Sequence, residues 1–160
     1  MSSTINGIIE TSARGSKPRT AHIDNSREDT ITVDREEYLA RVDALLEMLI
    51  GIYFRLTKLL TLLPVPIGLP RIGDETDPFD VVHALVRARA LILDLPLDDK
   101  VRSLLHMTLT EWPAVLDLCA LCMMEDEQEE YRIDAIWLMI IRLGTLTEML
   151  APELGLNLDL

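Results

Sequence analysis

The chain has 160 residues, 49% hydrophobic but only 4% aromatic, and its 27 acidic against 15 basic side chains leave a net charge of −12. A chain of this length builds one core without a disulfide or metal staple, and a mean hydropathy of +0.20 argues against global disorder. The deficit of positive charge argues against a general nucleic-acid binder driven by counterion release.

Residues 1–33 are polar and charged, with short apolar clusters only at Ile8-Ile9 and Ile31 to Val33. They read as an arm, either a free tail or a segment held by a partner surface, ahead of a bundle domain over 34–160. Glu10 and the lack of an apolar stretch leave no export signal there.

The first helix is expected to begin near Thr32 to Asp34, where Asp34, Glu36 and Glu37 add negative charge to the first turn, and to end before Pro64. Leu39, Val42, Leu46, Leu49, Tyr53, Leu56, Leu60 and Leu63 recur at alternating spacings of three and four, a heptad pattern. Phe54 and Leu62 add apolar surface off that stripe. Two readings stay open: a central bundle helix, or a seam for self-association.

Pro64, Pro66 and Pro70 exclude a helix over the following connection, yet Val65, Ile67, Leu69 and Ile72 predict that it packs across the bundle. Asp77-Pro78 is a helix start signal, with a capping carboxylate followed by proline in the first turn. The second helix then runs to about Leu93, with Val82, Leu85, Val86 and Leu93 or Ile92 as its core stripe. Asp98 or Asp99 caps a third helix carrying Val101, Leu104, Leu105 and Leu109. Pro113 is expected in the first turn of a fourth, with Val115, Leu116, Cys119, Leu121 and Met123 apolar.

A fifth helix, Tyr131 to Leu150, follows an acidic stretch and stops at Ala151-Pro152; the fourth and fifth could also be continuous, since no Gly or Pro separates them. Nothing alternates with the period of a strand beyond Ile31 to Val33. The fold class is therefore all-α, a four- to five-helix bundle with an extended N-terminal arm. Glu47, Arg55 and Lys58 interrupt one apolar run, and Asp134, Arg142 and Glu148 another, so no membrane span is expected.

Chemistry is sparse. Cys119 and Cys122 lie within an aliphatic segment, where they read as small core residues in a reducing, cytoplasmic setting. With His83 and His106 they make up the one formal metal-ligand set, the basis of an alternative metal-binding or enzymatic reading. No nucleophile elbow, phosphate loop or dinucleotide glycine pattern occurs, and no catalytic residue, metal or cofactor is assigned. Glu125, Asp126, Glu127, Glu129 and Glu130 form an acidic patch suited to a basic protein surface, as in an inhibitor, adaptor or chaperone.

The leading expectation is a non-enzymatic assembly or interaction protein, a homo-oligomer or the mate of a dedicated partner. Its interface would draw on Leu49, Phe54, Leu56, Leu62, Leu63, Leu138, Met139 and Ile141, which exceed what one small core needs. A coat-like virion subunit is one case of it, in which Arg14, Lys17, Arg19, Arg87 and Arg89 would meet nucleic acid as part of an assembly.

Overall fold

The computed structural model describes residues 35–73, 76–125 and 128–156. The chain divides into two units, Met1–Thr32 and Val33–Leu160, and all four described helices belong to the second. The predicted arm, with Arg14, Lys17 and Arg19, lies outside the described residues, as do Asp126 and Glu127 of the acidic patch. Four α-helices and no strand occur among the described residues, the all-α bundle its patterning predicts.

Helix α1, Arg35–Thr61, has Glu36 and Glu37 in its first turn and Lys58 in its last, each sign matched to the helix dipole. Val42, Leu49, Tyr53, Leu56 and Leu60 of the predicted stripe are buried, but Leu39 and Leu46 are half-buried, and Tyr38 and Leu45, one residue before each, are buried instead. The proline-rich connection packs on the bundle through Ile67, Leu69 and Ile72, whereas Val65, expected to join them, is exposed. Leu63 and Ile67 are buried, the Ile67 amide donates to the Leu60 carbonyl (3.1 Å), and Tyr53 Oη donates to the Pro70 carbonyl (2.6 Å). These bonds lay the connection back along α1.

Helix α2, Pro78–Asp94, starts at the predicted cap, where the Asp77 carboxylate accepts the Phe79 amide at 2.9 Å. Its buried face is Val81, Ala84, Leu85, Ala88 and Ile92. Leu85 and Ile92 of the predicted stripe are buried, but the rest of it is displaced: Val82 is half-buried, while Val86 and Leu93 are exposed. Two alanines, small enough for α2 to approach its neighbour closely, occupy the positions that larger apolar residues were expected to fill.

Helix α3, Asp99–Met124, corrects the expectation of two helices divided near Pro113, because it runs unbroken through that proline. Its cap is Asp98, which accepts the Lys100 amide at 2.8 Å. Proline in a helix interior removes one backbone bond and costs about 3 kcal/mol. The adjacent Trp112 offsets this: it is 2% exposed, stacks near Tyr53 with ring centroids 5.3 Å apart, and donates Nε1–H to the Leu49 carbonyl at 3.0 Å. Truncating such a residue typically costs about 3–5 kcal/mol, so tertiary anchoring outweighs the local penalty.

Helix α4, Glu130–Glu153, is separated from α3 by extended backbone at Glu125 and Glu129, so the alternative of one continuous helix across the acidic stretch does not hold. At its far end the helix passes Pro152 and closes at Gly155, whose φ of 76° lies in the left-handed region that favours glycine. The Leu156 amide donates to Ala151 and the Gly155 amide to Pro152, the paired bonds of a Schellman cap.

Among the described helices α3 is the centre: it touches α1, α2 and α4, while α1 also touches α4 and α2 touches α3 alone. Ion pairs give the directions. Lys100–Glu153 and Arg142–Glu111 tie α3 and α4 antiparallel, whereas Arg41–Glu130 and Arg55–Glu148 run along α1 and α4 in the same direction. Arg102 clasps the α2–α3 turn by donating to the carbonyls of Leu95 and Leu97.

Candidate interaction surfaces

The residues predicted to form an interface fall into two groups. Leu49, Leu56 and Leu63 are buried within the chain's own core. This corrects their reading as a seam: the α1 heptad faces the chain's own α3 and α4, and those three leucines are closed to any partner. Phe54, Leu62, Leu138 and Ile141 are exposed, and Met139 is half-buried against the core.

The exposed members do not make one patch. Phe54 lies on α1 beside Tyr53, at 6.3 Å between ring centroids, and Leu62 lies in the turn that follows. Leu138 and Ile141 belong to the outer side of α4, which also exposes Tyr131, Trp137 and Met149. Between α1 and α4 runs an open furrow of about 540 Å³ whose sides include Met48, Ile141 and Thr145 and whose rim carries the Arg55–Glu148 pair. Gly51 and Gly144 line it, and a Cβ at either would meet nothing within 4 Å, so the glycines leave space rather than permit close helix contact. A second cleft of about 250 Å³, between Arg41, Met48, Asp134 and Trp137, extends the same side.

Helix α2 carries an exposed apolar line, of which Val86 and Leu93 were expected in the core and Phe79 was not considered. Phe79 (71% exposed), Val86 (44%) and Leu93 (57%) recur every seven residues, on the side of the helix opposite Val81, Leu85, Ala88 and Ile92. Half-buried Val82 lies on the same line. The helix is therefore apolar on two opposite faces, only one of which has a helix against it. The signal was legible as the heptad interval 79–86–93, but that interval alone does not tell a core stripe from a docking stripe.

The acidic patch is partly neutralised within the chain. Glu125 pairs with Arg132, and Glu130 holds Arg41 through both carboxylate oxygens at 2.8–2.9 Å. Glu129 precedes α4 without a side-chain capping bond. Of the basic residues considered for nucleic acid, Arg87 is exposed and Arg89 donates to Thr110 Oγ1 at 3.4 Å. Two apart on one helix, they point in different directions and form no common face.

The four formal metal ligands do not converge. Cys119 and Cys122 are buried and free, and His106 is exposed on the same helix, thirteen residues and so about 20 Å from Cys119. That exceeds any shared coordination sphere. Among the described residues no group of three or more His, Cys, Asp or Glu side chains comes together. Burial, with Cys122 beside it, pushes the Cys119 thiol up to about 11, the opposite of a reactive thiolate. Burial and the same Cys122 push the Tyr38 phenol up to about 12. Among the described helices, only α3 is long and apolar enough to cross a membrane, and it contacts the three other described helices.

No protein-family model matches the chain, and no curated protein or solved structure matches it.

Proposed function

We propose that the chain is a non-enzymatic helical interaction protein that assembles with copies of itself or with a dedicated protein partner through helix faces its own fold leaves uncovered. The observation that carries this reading is α2: Phe79, Val86 and Leu93 form an apolar line directed away from α3, the one described helix that α2 touches. Fully burying one such side chain contributes about 1.5–3 kcal/mol, so three in line offer an apolar anchor for a docking helix. The outer side of α4 supplies a second such face on a helix that does not touch α2. Two faces on separate helices suit a structural subunit with two neighbours, and the free thiols suit a reducing compartment such as the cytoplasm.

An acidic module for a basic partner is the weaker reading, since Glu125 and Glu130 already hold arginines of the same chain. Light scattering over a dilution series, together with binding of a hydrophobic dye, tests the proposal. A mass above 18.1 kDa, or dye binding that Val86→Lys and Phe79→Ser reduce, supports it. A dilution-stable monomer that binds no dye would overturn it.

A further inference from the structure

The outer side of α4 carries a charge pattern that is its own complement when the helix is reversed. Leu138, 65% exposed, sits at the centre. Asp134 lies four residues before it and Arg142 four residues after, each about 6 Å away along the helix axis, and both are exposed. Tyr131 and Thr145, also exposed, lie seven residues to either side. Two copies of α4 laid antiparallel across Leu138 bring Asp134 of each to the level of Arg142 of the other. We propose that this face is a homodimer contact with its two-fold axis at Leu138 and two reciprocal Asp134–Arg142 ion pairs; the inference rests on the interaction-protein reading above and names its partner as a second copy of the chain.

The existing contacts of these residues allow it. Arg142 Nη2 holds Glu111 Oε1 at 3.0 Å, but the arginine side chain remains 62% exposed, and a guanidinium has five N–H donors, enough for a second carboxylate. The alternatives are less complementary. Parallel pairing of α4 sets Asp134 against Asp134, and antiparallel pairing of the α2 face about Val86 sets Arg89 level with His83. The apolar side chains supply most of the attraction, while the charges fix direction and register. From Tyr131 to Thr145 the seam is about 21 Å long, and a single helix pair of that length falls below the ~800 Å² per partner of a standard interface, so dissociation on the order of micromolar is expected.

The test is a charge-exchange experiment on the full chain, read by sedimentation from about 1 to 200 µM, with helicity and urea midpoints confirming that each variant folds. Asp134→Arg and Arg142→Asp each place like charges at both pairs and weaken the dimer about tenfold or more; mixing the two variants restores attraction at both pairs and recovers a mixed dimer. Leu138→Cys, oxidised gently, forms a disulfide-linked dimer, whereas Phe54→Cys does not. Self-association unaffected by both charge reversals, or charge variants that do not rescue each other, overturns the α4 pairing. If association then falls with Val86→Lys, the interaction reading survives on α2. A wild-type monomer that still binds dye overturns the α4 pairing alone, and one that does not bind dye overturns both.

Discussion

Helix α3 is wrapped by three neighbours, so Val101, Leu105, Leu109, Trp112 and Cys119 all enter one core; α2 meets a single neighbour and turns Phe79, Val86 and Leu93 away from it. Both are apolar helices of one small domain, yet the same side-chain chemistry has different consequences in each. In α3 it sets stability, because every buried group has lost its water. In α2, and on the outer side of α4, it sets the capacity to associate, because the water is still there to be displaced. Substitutions in the first class should change unfolding and leave association of the folded protein alone, and those in the second should do the reverse.

The largest effect expected is from Trp112→Ala, which removes the packing on Tyr53 and the bond to Leu49; urea unfolding should show a loss of about 3–5 kcal/mol. High pH probes the same interior. The Cys119 thiol is raised from its ordinary 9 to about 11 by burial, with Cys122 contributing. Below pH 9 both folded and unfolded chains keep the proton and stability is intact. Between about 9 and 11 the unfolded chain loses it first, so this thiol lowers stability by about 1.4 kcal/mol per pH unit, and above pH 10 the Tyr38 and Tyr53 phenols, raised from 10 to about 12 chiefly by burial, add a fall of the same sign. Urea midpoints across that range check the slope, and Cys119→Ala should remove the part that begins near pH 9 while leaving the fall above pH 10.

Asp98→Ala, which deletes the cap on α3, should cost about 1 kcal/mol in the same assay. The smallest stability effect is expected on the other side of the comparison. Val86→Lys should shift unfolding by less than about 0.5 kcal/mol while lowering dye binding or association. A large loss of stability from Val86→Lys would mean that the α2 outer face serves the fold after all, and would erase the distinction.

How much was legible in the sequence depended on whether the signal was local. The Asp77-Pro78 start and the α1 stripe were, because capping and periodicity act within a few residues. Pro113 misled, since the bond that keeps α3 intact joins Trp112 to Leu49 across the bundle, and no local rule contains it. The α2 core face was misplaced because Ala84 and Ala88 carry little weight in an apolar count, yet their smallness suits them to a close helix contact. For the candidate surfaces, Leu138 and Ile141 were found by excess: more apolar positions on the last helix than one core can use. Leu49, Leu56 and Leu63 show the limit of the heptad signal, because it specifies that a helix has a mate but not whether the mate is in the same chain.

The parallel course of α1 and α4 also has a kinetic consequence. Their ion pair Arg41–Glu130 joins residues 89 apart in sequence, whereas the α2–α3 turn closes through Arg102 and Leu95, only seven apart. Loop closure over so long a stretch is slow relative to a hairpin, so the α2–α3 pair should form early and α4 should find α1 late. Until it does, the furrow side of α1, including Met48 and Ile52, has no mate, which makes the newly made chain most exposed to misassociation through α1.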